Sequence, residues 1–480
     1  MASIQTTKHR LWENGTEEED YSLTTTANLE SGGDALGKYS VAEGYGNVAI
    51  GACSHTEGGA YISGGGEGGE DGGGSGPTQV NKAGGIGSHA EGVDTRTGIF
   101  TGTKPNDEYV SGGYASHAEG SGTFAEGNYS HAEGKMTRTE GLASHAEGYA
   151  NQAGGNYSHS EGSQTQATGL GSHAEGTGSI AGGDYSHAEG NSFARAIFSH
   201  TEGYNNDINL SGANSHAEGR DNSITSENSH AEGEANLISG ENSHAEGERN
   251  DIRAIQSHAE GNRNVITVNG RGSHIEGDRN TIDAEYSHSE GAQCSVLAGY
   301  AHAEGVNTQI GAGAIAGHTE GNGTEVLNEA GHAEGMYTKA SGRGTHAGGY
   351  GWTMDTAHKV EASGLASFAH FYITDTNDNY GAFAEASVIL GGRNHKIQTG
   401  SNNSAILGGS GNYINSGLTD NSVILGGVDI VASRANTAYM LTARFVPRDT
   451  PSFPEEGTVY YDGNAHKLRC YDGTNWQDLF

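Results

Sequence analysis

From about residue 40 onward the chain alternates small and variable positions and closes each short run on glycine. Ser130-His131-Ala132-Glu133-Gly134 reads small, variable, small, variable, glycine, and runs like it recur through most of the sequence. Alternation with period two over five positions marks a β-strand, and the glycine that follows suits a turn. A weaker copy comes seven residues later: Thr137-Arg138-Thr139-Glu140-Gly141 follows that run, and Ser179-Ile180-Ala181-Gly182-Gly183 follows Ser172-His173-Ala174-Glu175-Gly176. Five-residue strands at seven-residue intervals leave two residues for each corner. No helix fits between them.

The histidines keep the count. They fall at 117, 131, 145, 159, 173 and 187, then at 200, 216, 230, 244, 258, 274, 288, 302, 318, 332 and 346, in steps of 13, 14 or 16. His55 and His89 join the series upstream, across longer gaps. Two strands and two tight corners per histidine step describe one coil of a narrow parallel β-solenoid. Ser, Ala and Gly face inward, since two closely apposed sheets have room for nothing larger, and the variable His and Glu face outward. At roughly 4.8 Å per coil, twenty-odd coils between about residues 39 and 346 give a rod on the order of 100 Å. So small a core buries little apolar area, so the chain needs partners along its flank, and three copies about an axis close the arrangement. The predicted class is all-β: a trimeric parallel β-solenoid shaft with a small antiparallel C-terminal module.

The pattern also divides the chain. Residues 1–38 are polar and irregular and form an attachment segment. The shaft spans 39–346, with a glycine-rich excursion at 59–87 and a shorter one at 97–113. Residues 347–386 break the repeat with aromatics and suit a packed neck or a contact surface. In 387–436 the repeat returns as Ser387-Val388-Ile389-Leu390-Gly391, Ser404-Ala405-Ile406-Leu407-Gly408 and Ser422-Val423-Ile424-Leu425-Gly426, which sets Val388 where His sits and Leu390 where Glu sits. Apolar occupants of that face imply burial between subunits. Residues 437–480 alternate around Asp462-Gly463 and Asp472-Gly473 turns, as a β-meander does.

Composition narrows the function classes. Glycine supplies 81 of 480 residues and proline 5, without a three-residue period, which excludes collagen. Sixty acids against 25 bases give a net charge of −35, which repels nucleic acid and anionic membranes. No apolar run has the roughly 20 residues of a spanning helix, and the first residues lack the apolar stretch of a secretory signal. Cys53, Cys294 and Cys470 lie too far apart for a disulfide framework or a zinc site.

Asn47-Val48-Ala49-Ile50-Gly51 followed by Ser54-His55-Thr56-Glu57-Gly58 resembles the paired head repeat of trimeric autotransporter adhesins. The resemblance covers about 39–346 and implies a trimeric left-handed β-roll. His and Glu replace that family's Val and Ile in most coils, and neither a secretion signal nor a C-terminal membrane barrel is read. The SHAEG runs and the closing meander are similar to bacteriophage tail-fibre proteins. That resemblance implies a fibre assembled in the host cytoplasm and carried on the virion surface. Its partners would be two further copies, other virion proteins at residues 1–38, and a host-surface glycan or protein. A capsid head fibre, a polysaccharide-hydrolysing tailspike and a cellular adhesin are the alternatives.

The candidate site is the array of outward His and Glu. It pairs His117 with Glu119, His131 with Glu133, His145 with Glu147, His159 with Glu161, His173 with Glu175 and His187 with Glu189. It continues with His216 and Glu218, His230 and Glu232, His244 and Glu246, and His258 and Glu260. The structural reading is a ladder of His–Glu hydrogen bonds across subunits, which would raise the histidine pKa and lower that of glutamate. Metal capture is the functional alternative, but no single coil supplies a closed ligand set, so no metal or cofactor is expected. No catalytic residue is assigned, and the chain reads as a non-enzyme. Asp375, Asp378 and Glu385 could form a carboxylate site, although a solvated loop explains them as well. Tyr460, Tyr461, Tyr471, Trp476 and Phe480 form either a recognition tip or a trimer clamp.

Overall fold

The computed structural model describes residues 34–44, 46–58, 80–101, 108–352, 358–375, 378–417 and 419–479, together with the backbone strands Ile4–Glu13 and Thr16–Thr25. It is all-β, with no α-helix among the described residues, and divides into two compact units, Met1–Tyr300 and Ala301–Phe480.

In the first unit each coil pairs in register and in parallel with the next. His117 lies beside His131, Ala118 beside Ala132, and Glu119 beside Glu133, and the same holds for the following coils. The two strands of a coil are unequal, where the seven-residue spacing predicts equal ones. The first has five residues, as in His145–Tyr149, and the second only two, as in Gln152–Ala153. The second stops early because the N–H groups of Glu140 and Gly141 both donate to the Ala153 carbonyl (3.0 and 3.4 Å), so the chain leaves the ladder there. Corners follow in the left-handed region, and many hold residues other than glycine: Ala143 (φ 52°), Ala150 (56°) and Gln164 (59°). Their N–H groups donate one coil back, Ala143 to the Asn128 carbonyl at 2.9 Å and Ala150 to that of Lys135 at 2.8 Å.

The glycine of the five-residue strand answers two demands at once. Gly148 has φ 105°, and a Cβ on it would stand 2.2 Å from the Gly162 carbonyl oxygen of the next coil. Outside these positions the interior is as expected at first: Ala118, Ala132, Ala146, Ser116 and Ser130 are buried. Beyond residue 200 it is not. Ile208, Ile224, Ile238, Ile252, Ile266 and Ile282 are fully buried, where the sequence reading allows only small residues. Most of these coils keep a small residue on the other strand (Ala217, Ala231, Ala245), so a large and a small side chain share the section; the coil of Ile282 instead carries Ile275 there. The serine beside them changes partner: Ser130 Oγ donates three residues back to the Gly127 carbonyl, whereas Ser243 Oγ donates forward to that of Ala254.

Two segments expected to be irregular are ordered. Ile4–Glu13 and Thr16–Thr25 form an antiparallel hairpin, and Asp34–Ala35 already pairs with Val48–Ala49 in the solenoid. The excursion at 97–113 carries a second hairpin, Ile99–Thr101 with Glu108–Ser111. Of the glycine-rich excursion, 59–79 lie outside the described residues, while Lys82–Ala83 pairs with Val48–Ala49.

In the second unit the aromatic stretch continues the solenoid rather than breaking it. Phe368–Tyr372 pairs with His346–Tyr350, and Val360–Ala362 pairs with Thr338–Ala340. The chain ends in an antiparallel meander of Val459–Asp462, Lys467–Tyr471 and Trp476–Asp478.

Gly148→Ala is expected to destabilise the fold by about 2 kcal/mol or more, through backbone strain and the carbonyl clash together. Gly391→Ala, whose Cβ would meet nothing within 4 Å, should leave the melting temperature almost unchanged. Thermal unfolding of both variants by circular dichroism checks the contrast.

Candidate functional site: a stacked histidine column

Register pairing delivers the histidines to one column. In the first unit the rings from His55 to His288 stack face to face at 4.7–5.0 Å, most with planes within 8°. In the second unit His302, His318 and His332 stack likewise. His346 then tilts by 50°, and Phe368 takes the next place. All ten predicted His–Glu pairs therefore lie on one face.

Their bonding differs from the expectation. Of the ten predicted pairs, Nε2 and carboxylate oxygen are 3.6 Å apart in His145–Glu147 and His173–Glu175, and 3.9 Å in His117–Glu119. Those are ion-pair separations rather than hydrogen bonds. Nε2 of His131, His145, His159, His216 and His230 is buried with no hydrogen-bond partner among the described residues. Within one chain, five of the ten histidines shift the other way from the rise expected of pairs across subunits. His131, His159, His187, His216 and His244 are held below the ordinary value, first by burial and then by the neighbouring imidazoles; the glutamates pull the other way and lose. Each ring is sandwiched between two others, so a proton on one must sit beside its like.

The same geometry bears on metal binding. Sets such as His117, Glu119 and His131 bring their ligand atoms within 4.8 Å of one another. Parallel stacked rings, however, aim equivalent nitrogens the same way, whereas zinc needs ligands converging at about 2.0–2.1 Å. Within one chain the column is a stack of imidazole rings flanked by carboxylates.

Within the second unit the histidine position turns apolar after His346. Phe368 pairs with Val388, Val388 with Ala405, and Ala405 with Val423, which shows the alignment of Val388 with the histidine position. Leu390, Leu407 and Leu425 take the glutamate side and stay 53%, 42% and 45% exposed.

The sequence reading missed a second column, inside the corner. Asn206, Asn222, Asn236, Asn250, Asn264 and Asn280 are buried, each six residues after a ladder histidine. Asn236 is typical. Its Nδ2 donates to the Glu232 carbonyl (2.8 Å) and to that of Gly247 in the next coil (3.0 Å), and its Oδ1 accepts the Asn250 N–H (2.9 Å). The fixed offset from histidine was the available signal. In the second unit His395 takes an asparagine's place: it is wholly buried, its Nδ1 accepts the Asn412 N–H at 3.2 Å, and burial pulls its pKa down to about 4. Also missed was a basic cluster beside the 97–113 hairpin. Lys82 and Arg96 are buried near Phe100, and burial first, then Arg96, lowers the Lys82 pKa to about 8. A cavity of about 530 Å3 lined by Arg96, Phe100, Phe124, Glu126 and Arg138 adjoins it.

The remaining candidates are held by neighbours. Asp375 accepts from Tyr380 Oη (2.8 Å) and Asn394 Nδ2 (2.7 Å), and Asp378 pairs with Lys396. At the meander Tyr460 is buried, with Trp476 against it edge-on at 4.5 Å and Tyr471 5.3 Å from Trp476, so three of the five aromatics make a local core. Tyr461 is half-buried, and Phe480 lies outside the described residues.

Histidines that are harder to protonate folded than unfolded make the unfolded chain the better proton acceptor below pH 6.5. Stability should therefore be full above that pH and decline as pH falls toward about 4, with His395→Asn removing part of the decline; melting temperature against pH measures both. Asn236→Ala, which strands buried carbonyls and an N–H, should cost about 1–3 kcal/mol, and Asn236→Thr less, in denaturant unfolding. No family model matches this chain, and no curated protein matches it either.

Proposed function

We propose that this chain is a structural and adhesive fibre subunit, a homotrimer whose seam is the stacked column. The observation that carries this is that each unit repeats a single face coil after coil. One face holds imidazoles with buried, unpartnered nitrogens in the first unit, and in the second the corresponding face becomes a row of exposed leucines. Leucines repeated at one position on successive coils gain nothing from facing water, and a matching row on another copy removes them from it. A C3 arrangement gives every copy the same contacts and closes the assembly. Buried Nε2 atoms would then find partners across the seam, where glutamates of the neighbouring copy are the nearest suitable acceptors.

The setting we propose is the surface of a phage particle, as a tail fibre touching the host. The resemblance of the SHAEG coils and the closing meander to bacteriophage fibre proteins supports it. The role is mechanical rather than catalytic: most of the acidic residues are repeat positions, and of the irregular ones Asp375 is engaged by Tyr380 and Asn394, and Asp378 by Lys396.

Light scattering of the full chain is the test. A mass three times that of the 49.5 kDa chain is expected, and combined Leu390→Asp, Leu407→Asp and Leu425→Asp should shift it toward 49.5 kDa while the β-sheet spectrum persists. A wild-type chain that runs at 49.5 kDa defeats the reading.

A further inference from the structure

The first position of the short strand is also a column. On successive coils it runs Lys82, Arg96, Phe124, Arg138, Gln152 and Gln166. Neutral glutamine serves in the later coils, so the solenoid itself does not call for a cation at this place. Yet Lys82 and Arg96 are only 5% and 6% exposed, on adjacent rungs about 4.8 Å apart along the stack. Like charges so placed repel, and burial makes both the repulsion and the desolvation worse. The fold gives up stability to gather these cations, in a chain whose net charge is −35.

A cavity of about 530 Å3 lies where they gather, within the range of about 300–1,000 Å3 usual for small-ligand pockets. Asp94, Arg96, Phe124, Glu126 and Met136 line it, and the hairpin inserted after Thr97 contributes Phe100. That hairpin is pinned to the solenoid. The Tyr109 ring covers Gly98, where an added Cβ would lie 2.6 Å from it, and its Oη donates to the Gly112 carbonyl at 2.8 Å. Phe100 meets the same ring edge-on at 5.7 Å, which fixes this wall.

The charges on the walls select a ligand. Arg138 is already spanned by Glu126 at 2.8 Å and Glu140 at 3.0 Å. Arg96 stands 3.6 Å from Asp94, with Lys82 one rung behind it, so an anionic group belongs at Arg96. Asp94 and Glu126 repel a dianion such as phosphate, and their carboxylates keep lone pairs for hydroxyl donors. An acid with a purely apolar body would leave both carboxylates facing hydrocarbon. A monoanion rich in hydroxyls satisfies every wall, its C–H edges meeting Phe100, Phe124 and Met136.

We propose that this cavity binds a sugar acid, one pyranose ring bearing a single carboxylate, with the carboxylate on Arg96 and hydroxyls donating to Asp94 and Glu126. All of these walls come from one chain, so the site does not require the trimer; that the sugar is met on a host surface rests on the adhesive-fibre reading.

Saturation-transfer NMR titrations of the full chain test it, with glucuronate, galacturonate and N-acetylneuraminate as probes and glucose, benzoate and inorganic phosphate as controls. Saturable binding of at least one sugar acid is expected, about tenfold or more tighter than any control. Arg96→Gln installs the side chain that the column carries at 152 and 166, so the β-sheet spectrum should persist while binding is lost. Arg96→Lys keeps the charge without the planar fork and should bind about tenfold more weakly, which decides the matter if the glutamine variant does not fold. No binding of any of the three acids, a control bound as tightly, or binding undiminished in a folded variant overturns the proposal. Light scattering of the same samples separates the two readings. A monomer that binds a sugar acid and loses it with Arg96→Gln retains the site and refutes only the trimer, whereas a trimer without binding refutes only the site.

Discussion

The constraint on which everything else depends is the hydrogen-bonded spacing of stacked parallel strands, about 4.8 Å. Once coils pair residue for residue, every sequence position becomes a column, and every column inherits that spacing. Flat rings tolerate it, which is why imidazoles can follow one another through a whole unit at 4.7–5.0 Å. Charges do not. A stack of protonated rings would be a line of like charges one rung apart, and at His159 and His216 the neighbouring imidazoles add to burial in holding the pKa below its ordinary value.

Columns also explain how so little apolar area can hold a chain together. Where the interior is alanine, hydrogen bonds carry more of the load. Where it is isoleucine, dispersion contacts add to them. The asparagine column runs beside the isoleucines, from Asn206 to Asn280 alongside Ile208 to Ile282. Each asparagine joins its own corner to the next, using both donor and acceptor, so the amide satisfies backbone groups that a corner would otherwise strand. At the same place in earlier coils Ser179 Oγ donates only to the Glu175 carbonyl of its own corner, and Thr137 Oγ1 has no hydrogen-bond partner among the described residues.

Much of the architecture was legible because side-chain period and coil period are both short and coincide. The inward alanines, the outward His and Glu, and the equivalence of Val388 with histidine follow from counting. What was not legible depends on geometry that counting does not reach. The two-residue second strand arises from a carbonyl shared by Glu140 and Gly141. The isoleucine interior mostly has an alanine opposite, as Ala217, Ala231 and Ala245, with Ile275 the departure. The direction of the histidine shift depends first on how deeply the stacked rings are buried and then on the imidazole of the next coil; the sequence shows only the carboxylate at a spacing of two, which pulls the other way. Aromatics at 368–372 read as a break because they displace His and Glu, yet the backbone makes no distinction.

The indifference of the backbone to column identity has an evolutionary side. Coils of unequal length stack without loss of phase because extra residues are taken up at corners. Near-identical repeats in a gene invite unequal recombination, and each such event here would add or delete whole coils, leaving both new neighbours with a compatible surface to pair with. Length thus becomes a heritable quantity that changes in discrete steps, separable from the chemistry of either end. Selection could tune reach by copy number alone, long before any single substitution altered what the surface recognises.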